Sequence, residues 1–154
     1  MTSQTPKPYL RIATEEAFAP PEMIHIYEKI LAGSDVDPGF KGLMGFYMSS
    51  PSERARHIMR CLQDLDQVRL GHMDEAGIDH QVIALTAPGV QIMDKDTAVS
   101  FARFANDELA AGIRRHPTRF AGMIAIAPQD PAAAAKEIHR GVNELGMHSV
   151  IVNS

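Results

Sequence analysis

The sequence predicts an α/β fold built on a parallel sheet with crossover helices. Short apolar runs alternate with longer segments of helical periodicity in the order β-α-α-β-α-β-α-β, which is typical of such sheets. Three of the runs, residues 82–85, 123–126 and 150–152, are apolar on both faces, as buried parallel strands are. The first run ends in Glu15 and Glu16. Acids at the carboxyl end of a buried strand are how α/β barrels present metal ligands and catalytic groups.

The first half of the chain predicts one strand and two helices. Residues 10–14 form a short buried strand, and Pro21–Leu31 form a helix that Pro21 opens. Residues 33–50 are rich in glycine but too apolar for a solvated linker, so we expect an ordered loop. A helix then extends to Gly77. Ser50 is its predicted cap, Pro51 its first residue, and Glu53 completes an S-x-x-E capping box.

The second half alternates regularly. A strand at 80–85 closes in the turn 86–89, and a long helix follows from about residue 96 to 116. Residues 120–127 form the third strand. Asp130 caps a fourth helix that ends at Gly146, and 148–152 form the fourth strand. A closed (β/α)₈ barrel takes about 200–250 residues. The 154 residues therefore predict either a small open α/β domain or the N-terminal half of a barrel, with the domain at 9–154.

Composition excludes several classes of function. The net charge is −4, which gives no electrostatic footprint for nucleic acid or an anionic membrane. No apolar run reaches membrane-spanning length, and residues 1–8 are polar, which predicts a flexible N-terminus without a signal peptide. Cys61 is the single cysteine and cannot form an internal disulfide. These features predict a soluble cytoplasmic protein.

Oxygen ligands are the first candidates for a metal site. Glu15 and Glu16 are neighbours on a strand, so only one of them can point into a barrel mouth. Carboxylates suit Mn²⁺, Mg²⁺ or Zn²⁺, but one carboxylate does not make a site. The sequence contains no H-x-H, H-E-x-x-H or C-x-x-C motif, and its seven histidines are not expected to cluster.

Other polar residues occupy positions where a substrate could bind. Arg54 lies in the first turn of a predicted helix, where a guanidinium opposes the helix dipole. Its planar fork suits a carboxylate, although a surface pair with Glu53 or another acid is the better interpretation of the local sequence alone. The segment 86–91 closes the second strand on the presumed active side, where a purely structural turn is the simpler interpretation. Asn153 and Ser154 follow the fourth strand on that side.

Five segments together carry a family resemblance: RIATEEAFA, GFY-MSSPSERA, MDEAGIDHQVIALTAPGVQ, RFAG-IAPQDP and EIHRG-NELG. In this order, over residues 9–154, they resemble the amidohydrolase superfamily. The match is to its aromatic acid decarboxylase branch, and within that branch to the 5-carboxyvanillate decarboxylases. The resemblance implies a metal-dependent (β/α)₈ barrel, with Mn²⁺ favoured and Zn²⁺ as the alternative. Such enzymes remove CO₂ from a hydroxylated benzoate and are commonly homo-oligomers.

The resemblance also implies roles for particular residues. Glu15 corresponds to the metal ligand on the first strand, and Arg54 to the arginine that grips the substrate carboxylate. Phe46 and Tyr47 correspond to the segment that walls the aromatic ring. Thr86 and Gln91 are then expected near the pocket.

Ala17 departs from the wider superfamily pattern. Many members place a histidine two residues after the first ligand, and the resorcylate-type decarboxylases read E-E-H where this chain reads E-E-A. The resemblance therefore favours the 5-carboxyvanillate type over a decarboxylase of resorcylate or 2,3-dihydroxybenzoate. It also argues against a binuclear hydrolytic centre.

The remaining catalytic groups of this family, an aspartate and assisting histidines, belong to later strands. We therefore expect the isolated chain to be inactive and prone to self-association, because a half-barrel exposes both sheet edges. Two alternatives stay open. One is another enzyme of the superfamily, a hydrolase or a decarboxylase of a semialdehyde acid. The other is a non-catalytic truncated product that acts only through association with a partner.

Overall fold

A computed structural model describes residues 9–153, and ten helices and strands lie within them. The predicted flexible N-terminus (1–8) and Ser154 lie outside the described residues. In chain order the elements are β1 (Ile12–Phe18), α1 (Pro21–Leu31), α2 (Pro38–Ser49), α3 (Glu53–Gln63), α4 (Gln67–Ala76), β2 (His80–Leu85), α5 (Lys95–Arg115), β3 (Phe120–Ala125), α6 (Pro131–Asn143) and β4 (Ser149–Ile151).

The four strands form one sheet in the spatial order β1-β2-β3-β4, and each neighbouring pair is parallel. Sequential parallel strands joined by helices are the arrangement of one half of a (β/α)₈ barrel. The predicted fold class is therefore confirmed. Among residues 9–153, no helix is both long enough and apolar enough to cross a lipid bilayer.

Glycines allow the helices to pack closely on β3. A side chain at Gly122 would come within 2.8 Å of Leu109 and Ile113 on α5. A side chain at Gly141 on α6 would come within 2.5 Å of Ile124. Because these two glycines have no β-carbon, α5 and α6 can pack close to β3.

A buried amide ties the same three elements together. Asn106 on α5 is 1% exposed. Its amide nitrogen donates to the Ala125 carbonyl at 2.9 Å, and its side-chain oxygen accepts from the Ala125 amide at 2.8 Å. The amide nitrogen also donates to Glu137 on α6 at 2.8 Å. Each polar atom of this buried side chain is satisfied, so the group fixes the position of β3 instead of destabilising the core.

The first strand differs from its prediction. Residues 10–14 were expected to end at the two acids, but β1 continues to Phe18. The pairing with β2 skips a position between Ala13 and Glu16 and then resumes, with Glu16 opposite Ile83. Such a bulge lets a strand absorb extra residues without ending. Both acids therefore lie within the strand.

The predicted loop at 33–50 is wrong, because most of it is α2. Pro38 occupies the first turn, and the Asp37 carboxylate accepts a hydrogen bond from the Phe40 amide at 2.8 Å. Phe40 and Met44, one helical turn apart, are each 5% exposed. Burial of these side chains outweighs the low helix propensity of the glycines between them.

The predicted helix from Ser50 to Gly77 is two helices, α3 and α4. Asp64 interrupts it, because its carboxylate accepts hydrogen bonds from the Asp66 and Arg69 amides, both at 2.9 Å. A short acid that bonds its own neighbouring backbone competes with the helix in this way. Gly77 ends α4 in the left-handed conformation with φ 68°, as predicted for the C-terminal residue.

The predicted capping box does not form. The residue preceding α3 is Ser52, which makes no side-chain capping bond. Ser50 instead ends α2 and accepts a hydrogen bond from the Ser52 amide at 3.2 Å. The motif fails because α2 extends to Ser49, which leaves Ser50 and Pro51 as the link between two helices.

The second half of the chain follows the prediction closely. The long helix begins at Lys95, where Asp94 accepts from the Thr97 amide at 3.0 Å. The predicted cap Asp130 accepts from the Ala133 amide, also at 3.0 Å.

Candidate functional site

The candidate site is built on the loop that follows β2. Thr86 continues the sheet at its carboxyl end, and its amide donates to the Phe18 carbonyl at 2.9 Å. The Ala87–Pro88 peptide is cis, and the Gly89 amide closes a turn onto the Thr86 carbonyl at 2.8 Å. The turn predicted here is therefore present, at the edge where α/β sheets bind ligands.

A buried tyrosine on α1 holds this turn in place through a hydrogen bond. Tyr27 on α1 is fully buried, and its hydroxyl donates to the Gly89 carbonyl at 2.8 Å. Its ring meets Phe40 of α2 edge to face, with the ring centroids 4.9 Å apart. Burial raises the pKa of the Tyr27 phenol far above its ordinary value. The hydroxyl therefore remains a hydrogen-bond donor at every physiological pH.

Between α2 and the loop lies an open pocket of about 610 Å³. Phe40 and Leu43 contribute from α2, and Pro88, Gln91 and Ile92 contribute from the loop. The lining is mainly apolar, and Asp37 and Gln91 are its polar side chains. A volume of this size accommodates a small aromatic molecule.

Gln91, Gly89 and Asn153 converge on one point beside this pocket. Gly89 has φ 64°. A side chain on it would lie 2.7 Å from the Asn153 amide nitrogen and 2.8 Å from the Gln91 side-chain oxygen. That Gln91 oxygen is buried and has no hydrogen-bond partner among the described residues. Buried polar atoms without a partner are rare in folded proteins, and this one marks Gln91 as a side chain that the described residues do not fully satisfy.

Gln129 is a second amide that the sequence did not single out. It follows β3, and its amide nitrogen donates to the carbonyls of Val90 and Met93 at 2.8 and 3.1 Å. Its side-chain oxygen is also buried without a partner in the described part of the chain. The only signal in the sequence was its place in the polar turn after the third strand, which is also typical of a structural turn.

Glu15 lies at the bulge of β1. It is exposed and adopts φ 60°, and no other non-glycine residue among 9–153 has a positive φ. A left-handed conformation costs a residue with a β-carbon about 1–2 kcal/mol. Glu16 faces the helical layer, where it lines one pocket with His57 of α3 and Arg69 of α4. The sequence predicted that one of the two acids points into a barrel mouth and that the other faces the helical layer or the loop, and Glu16 is the acid on the helical side.

The remaining predicted residues lie on α2 and α3, outside the lining of the 610 Å³ pocket. Phe46 is 59% exposed and meets Tyr47 edge to face at 5.5 Å. Arg54 is exposed in the first turn of α3. The alternative pair with Glu53 is not formed, since Arg54 makes no ion pair within residues 9–153.

A second cluster of chemically active side chains lies on the helical side of β1. The expectation that the histidines do not cluster is wrong, because His57, Cys61 and His72 place their ligand atoms within 4.8 Å of one another. The cluster could not be predicted from the sequence, because His57 and His72 belong to different helices. They meet only because Asp64 turns the chain back between α3 and α4.

An arginine holds this second region together. Arg69 of α4 is 8% exposed. Its guanidinium donates to the carbonyls of Asp64 at 2.8 Å, Ala17 at 2.8 Å and Cys61 at 3.3 Å. Burial lowers the pKa of Arg69, and the nearby Glu16 and Asp64 carboxylates oppose that shift. The guanidinium therefore joins α3, α4 and β1.

The chain matches a known class of protein. The amidohydrolase family model matches residues 62–154. The chain is therefore a member of the amidohydrolase family.

Particular relatives are aromatic acid decarboxylases. The structure is similar to that of 5-carboxyvanillate decarboxylase from Novosphingobium aromaticivorans complexed with manganese and 4-hydroxy-3-methoxy-5-nitrobenzoic acid. The TM-score is 0.92 and the identity 49%, covering 96% of this chain and 42% of that chain. It is also similar to a dihydroxybenzoic acid decarboxylase from Polaromonas with bound manganese and 2-nitroresorcinol, with TM-score 0.75 and 36% identity over 94% of this chain and 38% of that one.

The curated relatives agree with the structures. The γ-resorcylate decarboxylase of Rhodococcus jostii is 36% identical over 144 residues, which cover 93% of this chain and 38% of the relative. The chain thus spans about two fifths of the length of the proteins it matches.

Proposed function

We propose that this chain forms the N-terminal part of a metal-dependent, non-oxidative decarboxylase of hydroxylated aromatic carboxylic acids, of the 5-carboxyvanillate type. The observation that carries the proposal is the similarity to the Novosphingobium enzyme, 49% identical over 96% of this chain. The dihydroxybenzoate-type relatives reach 36%. Ala17, which stands where the resorcylate type has histidine, supports the same choice.

The backbone at Glu15 supports a functional role for that residue. Strained conformations persist where the surroundings impose them, and they concentrate at active sites. A glycine would adopt φ 60° without this cost. A glutamate retained there is therefore best explained by the use of its carboxylate.

Glu15 fits a manganese ion as one ligand among several. A carboxylate oxygen suits Mn²⁺, and Glu15 is exposed, so it can receive the ion. Within residues 9–153, Glu15 belongs to no group of three or more candidate ligands, so the other ligands must come from elsewhere. A divalent cation bound there would orient the substrate and act as a Lewis acid. Zn²⁺ is the alternative ion.

The chain's own residues would bind and orient the aromatic acid. Arg54 carries an exposed guanidinium without an ion-pair partner among the described residues, so it is available for a carboxylate. Phe46 and Tyr47 would wall the ring. Thr86 and Gln91 would contact polar substituents, since Thr86 directly follows β2 and Gln91 lines the 610 Å³ pocket.

A chimera tests the proposal directly. Residues 9–153 would replace the matching N-terminal 42% of the Novosphingobium enzyme, whose remaining portion supplies the other catalytic groups. We expect the manganese-loaded chimera to consume 5-carboxyvanillate and release CO₂. Glu15→Gln should lower kcat/KM by at least about 100-fold, because loss of a ligand exceeds the 10–100-fold effect of residues that support ligands.

Matched variants separate a role at the site from a general effect. Arg54→Met should lower kcat/KM by about 10–100-fold, the value of a hydrogen bond to a charged group. Arg56→Met, an exposed arginine on the same helix, should leave it unchanged. If a folded, metal-loaded chimera turns over only 2,6-dihydroxybenzoate, the chain belongs to a decarboxylase of the resorcylate type. Activity on neither acid would contradict the proposal.

We further propose that the isolated 154-residue chain is inactive and self-associates, while the protein that contains it is a cytoplasmic homo-oligomer. The outer strands β1 and β4 support self-association, since Ile12 on β1 is 55% exposed and Val150 on β4 is 37% exposed. Sedimentation should show species larger than a monomer, and a CO₂ assay with manganese should show no release. A monomer or measurable turnover would contradict these expectations.

A further inference from the structure

We propose that His57, Cys61 and His72 form a three-ligand binding site for a thiophilic divalent cation, with Zn²⁺ as the preferred ion. The proposal depends on the packing of α3 against α4 and is independent of the decarboxylase function. None of the three residues takes part in the substrate or metal contacts proposed above.

The first two ligands are preorganised by one helix. His57 and Cys61 are four residues apart on α3, so their side chains lie on the same face. The Cys61 sulfur is 3.4 Å from Nε2 of His57. In a tetrahedral zinc site, bonds of about 2.3 Å to sulfur and 2.0–2.1 Å to nitrogen place neighbouring ligand atoms about 3.3–3.6 Å apart. The separation between Sγ and Nε2 falls in this range. Because the same sulfur also lies 4.0 Å from Nδ1 of His57, the ring must turn to direct its Nε2 lone pair at a shared ion.

The third ligand comes from the next helix. His72 on α4 lies with its ring centroid 5.6 Å from that of His57, and all three ligand atoms fall within 4.8 Å of one another. Both histidines are exposed, so a small rotation of either ring can bring its nitrogen to the tetrahedral spacing. Arg69 fixes the backbone under the site by binding the Cys61 carbonyl.

The surroundings leave a coordination position open. The three ligands line a surface pocket of about 360 Å³ together with Glu16 and Arg69. Three protein ligands with an accessible fourth position are sufficient for Zn²⁺, which completes its tetrahedron with water. The positive charge of Arg69 weakens cation binding. The Glu16 carboxylate in the same pocket and a deprotonated Cys61 offset it.

The ligand types determine the preferred ion. A thiolate and two imidazoles suit Zn²⁺, whereas Mn²⁺ prefers carboxylate, carbonyl and water oxygens. This site should therefore bind Zn²⁺ in preference to Mn²⁺, the ion that the structural relatives contain. Metal selectivity thus tests the proposal separately from decarboxylase activity.

Cobalt is the probe, because Co²⁺ substitutes for Zn²⁺ and its bond to a thiolate absorbs in the near ultraviolet. We expect the chain to bind one Co²⁺ with a thiolate charge-transfer band, and a stoichiometric amount of Zn²⁺ to abolish the band. A large excess of Mn²⁺ should not. Cys61 is the only cysteine, so the band reports on this site alone. Zn²⁺ should also slow alkylation of Cys61 by iodoacetamide.

Variants distinguish three ligands from two. Cys61→Ser should abolish the band, and His72→Gln should weaken Co²⁺ binding by at least tenfold. His139→Gln, an exposed histidine on α6, should leave binding unchanged. Circular dichroism would verify that each variant is folded. No thiolate band in the folded chain, equal competition by Mn²⁺, or unchanged binding in His72→Gln would each overturn the proposal.

Discussion

Tyr27 donates its buried hydroxyl to the carbonyl oxygen of Gly89, 62 residues away, at 2.8 Å. This bond connects α1 to the turn after β2, and the turn carries Gln91 into the 610 Å³ pocket. The geometry of the candidate site therefore depends on a residue that lies outside it. Such support positions a binding residue more precisely than a loop could alone.

Removing that hydroxyl should destabilise the protein. Tyr27→Phe leaves the Gly89 carbonyl buried without its donor, and the expected loss in the free energy of unfolding is about 1–3 kcal/mol. Urea denaturation of the two proteins measures it. Tyr47→Phe is the control, because Tyr47 is half-buried and its hydroxyl makes no hydrogen bond within residues 9–153. Equal effects of the two substitutions would argue against the role given to Tyr27.

Glycine substitutions should have opposite effects at two positions. Gly89→Ala places a β-carbon at φ 64°, 2.7 Å from Asn153 and 2.8 Å from Gln91, so we expect a loss of more than about 1 kcal/mol. Gly42 lies inside α2 with no atom within 4 Å of the added carbon. There alanine should stabilise by about 0.5–1 kcal/mol, because it favours the helix. Thermal denaturation measures the sign of both stability changes. A Gly89→Ala variant as stable as the parent would contradict the predicted clash of the β-carbon with Asn153 and Gln91.

The sequence predicted the parts of the fold in which local and tertiary preferences agree. In α1, α5 and α6, an apolar stripe coincides with opening residues such as Pro21 and Asp130. The strands β2 and β3 are apolar on both faces, so their burial does not depend on register. Here each level of the sequence indicates the same structure.

The errors occur where tertiary contacts outweigh local preference. Glycine-rich α2 is helical because Phe40 and Met44 are buried. The bulge that extends β1 comes from pairing with β2 and has no local signal. The helical periodicity of the apolar residues continues through Asp64, so it did not predict the turn between α3 and α4. The approach of His57 to His72 depends on that turn and was missed for the same reason. For the candidate site, the sequence identified Gln91 but not Tyr27 or Gln129, which act through long-range hydrogen bonds.

Strain at Glu15 predicts an unusual response to glycine. Glu15→Gly removes the cost of a left-handed β-carbon, so the free energy of unfolding should rise by up to about 1 kcal/mol. Glu16→Gly is the matched control. It lies in the paired part of the same strand, where glycine should cost about 0.5–1 kcal/mol. Denaturant titration compares the two, and a loss of stability in Glu15→Gly would show that the acid stabilises the fold.

The carboxylate of Asp66 predicts a stability difference that depends on pH. It accepts hydrogen bonds from His116 and, at 3.1 Å, from Arg115 at the end of α5. The His116 hydrogen bond, and then the Arg115 charge, lower the pKa of Asp66 below its ordinary value of 3.8. A depressed folded-state pKa means that the stabilisation is fully present above the unfolded-state pKa. It is lost as the pH falls through the folded-state pKa.

The test compares Asp66→Asn with the parent chain across this range. Above about pH 5 the variant should be less stable by no more than about 1 kcal/mol, because the carboxylate is 48% exposed and well screened. Below pH 3.8 the difference should shrink towards zero, since both side chains become neutral. High salt should reduce it at neutral pH. Asp35→Asn, an exposed acid before α2, should show no such profile, and a difference that grows on acidification would have the wrong sign for this pair.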